Sequence, residues 1–131
     1  MTPNDRPAAL LVTHAALGQE LLRTVEAILG SLTDAHVLSN DGYSGEALSR
    51  AIEERVRVVP GDRPVVVFTD LAAGSCGIAS RRADHGGRRV RKVTGVNLPM
   101  LLEFFHYRDT LPLDELLPRL EAKGKAGITV T

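Results

Sequence analysis

The chain has 131 residues, 44% of them hydrophobic and 24% charged, and its sixteen Lys and Arg are balanced by sixteen Asp and Glu. This length and apolar content fit one soluble domain that buries its own core, and they exclude disorder. Zero net charge, three Phe, two Tyr and no Trp argue against a nucleic-acid binder held by bulk charge or base stacking, and the single cysteine, Cys76, excludes a disulfide framework or a Cys-rich zinc site.

Residues 1–7 read as a polar N-terminal tail without a signal-peptide core. Residues 8–13 (AALLVT) form a short apolar strand that stops at His14. Leu17, Leu21, Leu22, Val25, Ile28 and Leu29 then recur on one helix face, closed by Gly30. Residues 35–39 (AHVLS) read as a second strand, and 40–45 (NDGYSG) as a turn cluster. Ala47, Leu48, Ala51, Ile52 and Val56 mark a second amphipathic helix. After a break at 60–64 (PGDRP), residues 65–68 (VVVF) form a strand buried on both faces, ending at Asp70. The small-residue turn 72–75 (AAGS) opens a helix to about Asp84, and Gly86 and Gly87 stop it. A fourth strand covers 90–96, helices cover 98–107 and 113–123, and 128–131 (ITVT) is a last short strand.

Alternating strands and helices predict an α/β fold with an open, mostly parallel sheet and helices on both faces. The direction of the last strand does not follow from this pattern, because two helices precede it. No apolar run approaches the roughly 18 residues of a membrane span, so the expectation is a cytoplasmic protein with one domain over residues 1–131.

In open α/β sheets ligands bind beyond the carboxyl ends of the strands, where the strand order reverses. That rule selects Thr13 and His14 after strand one, Asp70 after strand three and Asn97 after strand four. If strands one and three are neighbours, His14 faces Asp70. A carboxylate bonded to one imidazole nitrogen fixes the tautomer and leaves the other nitrogen as a nucleophile. Ala73, Gly74 and Ser75, at a helix start, offer backbone N–H groups suited to an anion such as phosphate. Ser75 either adds a hydroxyl donor or caps the helix. Together these residues suggest phosphoryl transfer through a phosphohistidine. Against this stands a plainer reading, in which His14 is an ordinary loop histidine and Asp70 a turn former.

At these residues the chain resembles the mannose-family enzyme IIA components of the bacterial phosphoenolpyruvate-dependent sugar phosphotransferase system. Three stretches carry the resemblance: Leu11-Val12-Thr13-His14 with Leu17, Leu21 and Leu22; residues 66–75 (VVFTDLAAGS); and residues 94–103 (TGVNLPMLLE). The resemblance implies a parallel sheet with a C-terminal antiparallel strand exchanged between the protomers of a homodimer. It also implies that His14 accepts a phosphoryl group from the phosphocarrier HPr and passes it to a IIB partner. Asp70 would orient the histidine, and Ala73, Gly74 and Ser75 would hold the phosphate. Thr13 and Asn97 are further candidate contacts. No cofactor and no metal are expected, nor direct membrane insertion, although recruitment to a membrane permease fits the family.

The chain departs from the family where Cys76-Gly77-Ile78 replaces the usual Pro-Phe-Asn. Mannose-type IIA domains are often fused to a IIB domain, and none is found in these residues. Two roles stay open: a transport component, or a regulatory phosphorelay module whose docking is switched by His14 phosphorylation. A redox role for Cys76 would need a depressed pKa, which a helix start could supply; the plainer reading is a small residue in place of the proline. His36, His85 and His106 share no metal-ligand spacing and read as ordinary histidines. Residues 81–92 carry six basic side chains and one acid, a local charge of +5, read as a solvated turn far from His14 rather than a docking patch.

Overall fold

The computed structural model describes residues 6–131, so most of the expected N-terminal tail lies outside the described residues. The strands are β1 (Ala8–Thr13), β2 (Ala35–Ser39), β3 (Val65–Thr69) and β4 (Val90–Thr94). The helices are α1 (Leu17–Leu29), α2 (Gly45–Arg57), α3 (Ser75–Arg82), α4 (Leu98–Tyr107) and α5 (Leu113–Ala126). All strand pairings are parallel, in the order β2-β1-β3-β4. The chain moves outward from β1 to β2, then crosses back to place β3 on the other side of β1. The order therefore reverses between β1 and β3, with Leu10 opposite Val67 and Val12 opposite Thr69.

The two central strands are buried along their whole length. Side chains alternate between the two faces of a strand, so each face feeds a different core. Leu10, Val12, Val65 and Val67 pack with Leu48, Ile52 and Val56 of α2 and Ala79 of α3. Leu11, Val66 and Phe68 pack on the other side with Leu22 and Val25 of α1, Leu101 and Phe104 of α4, and Leu116 and Leu120 of α5. Each buried Val, Leu, Ile or Phe side chain among them contributes about 1.5–3 kcal/mol relative to exposure. Phe68 meets Phe104 edge-on, with ring centroids 5.3 Å apart.

Arg108 closes the far edge of the sheet. It is buried, donates to the carbonyls of Thr33, Asp34 and Pro7, and lies over the Phe105 ring. Burial, with Arg6 nearby, pulls its pKa down to about 10, so it stays charged at neutral pH.

Three boundaries differ from the sequence expectation. β4 ends at Thr94, because Gly95 turns with φ +77° and Val96 then bonds back to the Thr69 carbonyl. α3 ends at Arg82, two residues short of Asp84, where Ala83 becomes extended. Residues 128–131 form no strand; Ile128 and Val130 are exposed. A strand exists only as part of a ladder, and among the described residues this segment pairs with no strand.

Candidate functional site

The carboxyl ends of β1 and β3 lie side by side, and the residues just past them meet. The His14 backbone N–H donates to Asp70 Oδ2 at 2.9 Å, and His14 Nδ1 lies 2.9 Å from the same oxygen. Asp70 Oδ1 accepts from the Leu71 N–H at 3.0 Å. Burial pushes the Asp70 pKa up, but the backbone and ring bonds of His14 outweigh it and hold the carboxyl below its ordinary range. A charged carboxylate only accepts, so the ring proton sits on Nδ1 and Nε2 carries the free lone pair. Nε2 in turn lies 3.1 Å from Ser75 Oγ, whose hydroxyl can donate to it.

The turn before α3 is shaped by two glycines. A Cβ on Gly74 would stand 3.0 Å from His14 Cε1. A Cβ on Gly77 would stand 2.3 Å from the Leu71 carbonyl oxygen, so the turn closes over the helix only with glycine there. Arg81 donates to the Ala72 carbonyl and ties the turn down from the side. Ala73, Gly74 and Ser75 therefore sit at the start of α3, close to the His14 ring. Among the described residues their backbone N–H groups have no acceptor, as expected at a helix start.

The turn after His14 is held just as tightly. Ala15 adopts φ +50°, a left-handed conformation that costs a non-glycine residue on the order of 1 kcal/mol. Asn40, at the end of the neighbouring β2, compensates: its Oδ1 accepts from the Ala15 N–H at 3.1 Å, and its own N–H donates to the Thr13 carbonyl. Sequence reasoning placed Asn40 only in a turn cluster. The signal that could have found it is its position at the end of the strand expected beside β1.

Thr13 is buried, and its Oγ1 accepts from the Gly18 N–H at 2.7 Å. It fastens α1 to the strand. Asn97 caps α4, accepting from the Met100 N–H at 3.1 Å and donating to the Gly124 carbonyl at 2.9 Å. None of its hydrogen bonds reaches His14, Asp70 or Ser75; β4 lies two strands from β1, about 10 Å away. Of the two roles open for Asn97, the geometry gives the turn-forming one.

Cys76 is buried, with Sγ 3.7 Å from His14 Nδ1. Burial and the Asp70 charge push its thiol up to about 11, opposite to the depression a redox role needs. His36 and His106 are exposed on other elements, and half-buried His85 follows the carboxyl end of α3, where burial lowers its pKa. In the basic run, Arg88 donates to the carbonyls of Val59 and Arg63 and Arg89 to that of Asp62, so part of it is a structural clamp rather than a solvated turn.

The sequence model of EIIA-man, described as the PTS system fructose IIA component, matches residues 8–121. The chain belongs to the EIIA-man family. Over 123 residues it is 27% identical to the PTS system mannose-specific EIIAB component of Escherichia coli strain K12, covering 92% of this chain and 38% of that protein. The chain thus spans well under half the length of the curated relatives it matches. The mannose/sorbose specific IIA subunit of Enterococcus faecalis is 26% identical and superposes with a TM-score of 0.78, covering 96% of this chain and 95% of that one. The phosphotransferase system component EIIA of Streptococcus agalactiae shares the fold at a TM-score of 0.82 and 21% identity, covering 95% and 96% of the two chains. Membership in EIIA-man makes this chain a mannose-family IIA component.

Proposed function

We propose that the protein accepts a phosphoryl group from HPr on His14 Nε2 and hands it to a IIB protein or domain. The observation that carries this reading is the pinning of Nδ1 by Asp70, which turns the Nε2 lone pair toward the start of α3. As the N–P bond forms at Nε2, the bond from phosphorus to the donor breaks. The growing charge on the phosphoryl oxygens falls near the free N–H groups of Ala73, Gly74 and Ser75, and the Ser75 hydroxyl turns from Nε2 to an oxygen. Asp70 stabilises the cationic ring that results. Catalysis is then positioning and electrostatics, with no cofactor in the step.

Partner docking has physical support in the exposed side chains of Leu17, Tyr43, Leu71 and Ile78. Leu17, Tyr43 and Leu71 stand within four residues of the carboxyl ends of β1, β2 and β3, the sheet edge that carries His14, and Ile78 stands one turn into α3. Among the described residues no helix is long and apolar enough to cross a membrane; the reading is one cytoplasmic mannose-type IIA domain that serves a membrane permease from outside the bilayer. It also includes a homodimer in which residues 128–131 pair antiparallel with the partner's sheet. Among the described residues β4 has one neighbour, and the groove of about 600 Å³ beside it is lined in part by Thr94, Leu117 and Ile128.

The test is incubation with phosphoenolpyruvate, enzyme I and HPr, followed by intact mass. The full chain should gain one acid-labile phosphoryl group and the His14→Ala variant none, while His36, His85 and His106 substitutions leave uptake intact. Labelling that persists in His14→Ala would overturn the assignment. Uptake without discharge to any IIB protein would point to a regulatory relay instead.

A further inference from the structure

We propose that His14, Asp70 and Cys76 form a binding site for one zinc-class divalent ion, and that the ion, when bound, disables His14 as a nucleophile. One donor atom from each residue lies within 4.8 Å of the other two. Nδ1 and Oδ2 are 2.9 Å apart, and Nδ1 and Sγ 3.7 Å. A tetrahedral ion with bonds of about 2.0–2.3 Å separates its ligands by roughly 3.3–3.6 Å. Sγ is thus at its distance from Nδ1, while the carboxylate must withdraw from Nδ1 by about half an ångström and close on Sγ, within 4.8 Å of it, by up to about an ångström. A thiolate, an imidazole and a carboxylate suit zinc rather than magnesium or calcium, which take oxygen.

The three donors are set by rigid elements before any ion arrives. His14 and Asp70 follow the two fully buried strands, and Cys76 sits in the first turn of α3 inside the core. What opposes binding is then chiefly the shift of the Asp70 carboxylate away from its bonds to His14. The His14 side chain is 39% exposed, so the ion approaches past the ring, and three protein ligands leave a fourth position for water.

The consequence follows from proton bookkeeping. As the zinc–sulfur bond forms, the thiol proton leaves to solvent. Zinc on Nδ1 displaces the ring proton, which the neutral imidazole carries on Nε2 instead. Nε2–H then donates to Ser75 Oγ, 3.1 Å away. One ion has bound, one proton has been released, and the lone pair that would attack phosphorus is occupied. This consequence rests on the phosphoryl-acceptor reading; the ion site itself does not.

The binding test uses the metal-free full chain titrated with Co²⁺, then Zn²⁺. Wild type should take up one cobalt per chain with a thiolate-to-cobalt charge-transfer band, which zinc abolishes. Cys76→Ser should lack the band, and Cys76→Ser and His14→Gln should each bind zinc at least about tenfold more weakly. No band in wild type, or undiminished zinc affinity in both variants, would overturn the site. In the HPr reaction, saturating zinc should slow wild-type uptake at least about tenfold while the Cys76→Ser ratio, with against without zinc, stays near one. Wild-type uptake undiminished by zinc would overturn the switch. A chain that shows the cobalt band yet takes no phosphoryl group without metal would support the ion site while refuting the acceptor reading.

Discussion

On the proposed reading, Asp70 is the residue on which the chemistry of His14 turns. It accepts from the backbone and faces the ring of the same histidine, so it sets both the path of the turn and the tautomer. Asp70→Asn keeps the shape but can present an amide N–H to Nδ1, which favours the proton on Nε2. We expect phosphoryl uptake to slow by about 10²–10⁴, as tautomer errors do at other His–Asp pairs, with the fold retained by circular dichroism. The same carboxylate links stability to pH. Its folded pKa lies below its unfolded value, so its contribution is present above the ordinary carboxylate pKa and is lost as pH falls through the folded one. The gap in melting temperature between wild type and Asp70→Asn should therefore be widest near neutrality and close as the pH drops below about 4.

His14 and Asp70 were legible in the sequence because each ends an apolar run, and a rule about strand ends needs no coordinates. Asn97 met the same rule, yet both ends of its side chain are occupied by α4 and α5. Asn40 was not legible as a support, since its bonds to the His14 turn cross between loops 25 residues apart.

At the scale of elements, α3 is a short helix whose start is aimed by its turn. Gly77 has an ordinary backbone conformation, and nothing local demands glycine; the demand comes from the Leu71 and Ala72 carbonyls above it. That crowding is why the sequence showed the turn but not its glycine. Gly77→Ala must push the backbone apart, and we expect a loss of about 1–3 kcal/mol in urea unfolding. Uptake at His14 should slow as well, because Ser75 moves with the helix. A Gly77→Ala protein with unchanged stability and rate would show that the turn yields easily. β1 and β3, with period-2 packing into two cores, were the elements most readable from sequence, since burial on both faces leaves apolar residues everywhere but at the closing threonines, Thr13 and Thr69. Residues 128–131 were readable as strand-forming but not as paired, because a partner edge is a property of the assembly.

At the scale of the molecule, the dimer reading predicts that removing residues 126–131 yields monomers or aggregates in sedimentation velocity, while the His14 turn stays intact. Full-length chain that sediments as a monomer at micromolar concentration would refute the exchange.

The hydrogen bonds of His14 to Asp70 and Ser75, and that of Ala15 to Asn40, form within a single chain. On the acceptor reading each chain is then expected to work as a complete acceptor, whatever its neighbour carries. Assemblies mixed from wild type and His14→Ala should take up phosphoryl in strict proportion to the wild-type fraction, with neither dominance by the inactive chain nor rescue by the active one. In such a protein the dose of transferable phosphate is a simple sum over chains, and a damaged copy costs only its own share.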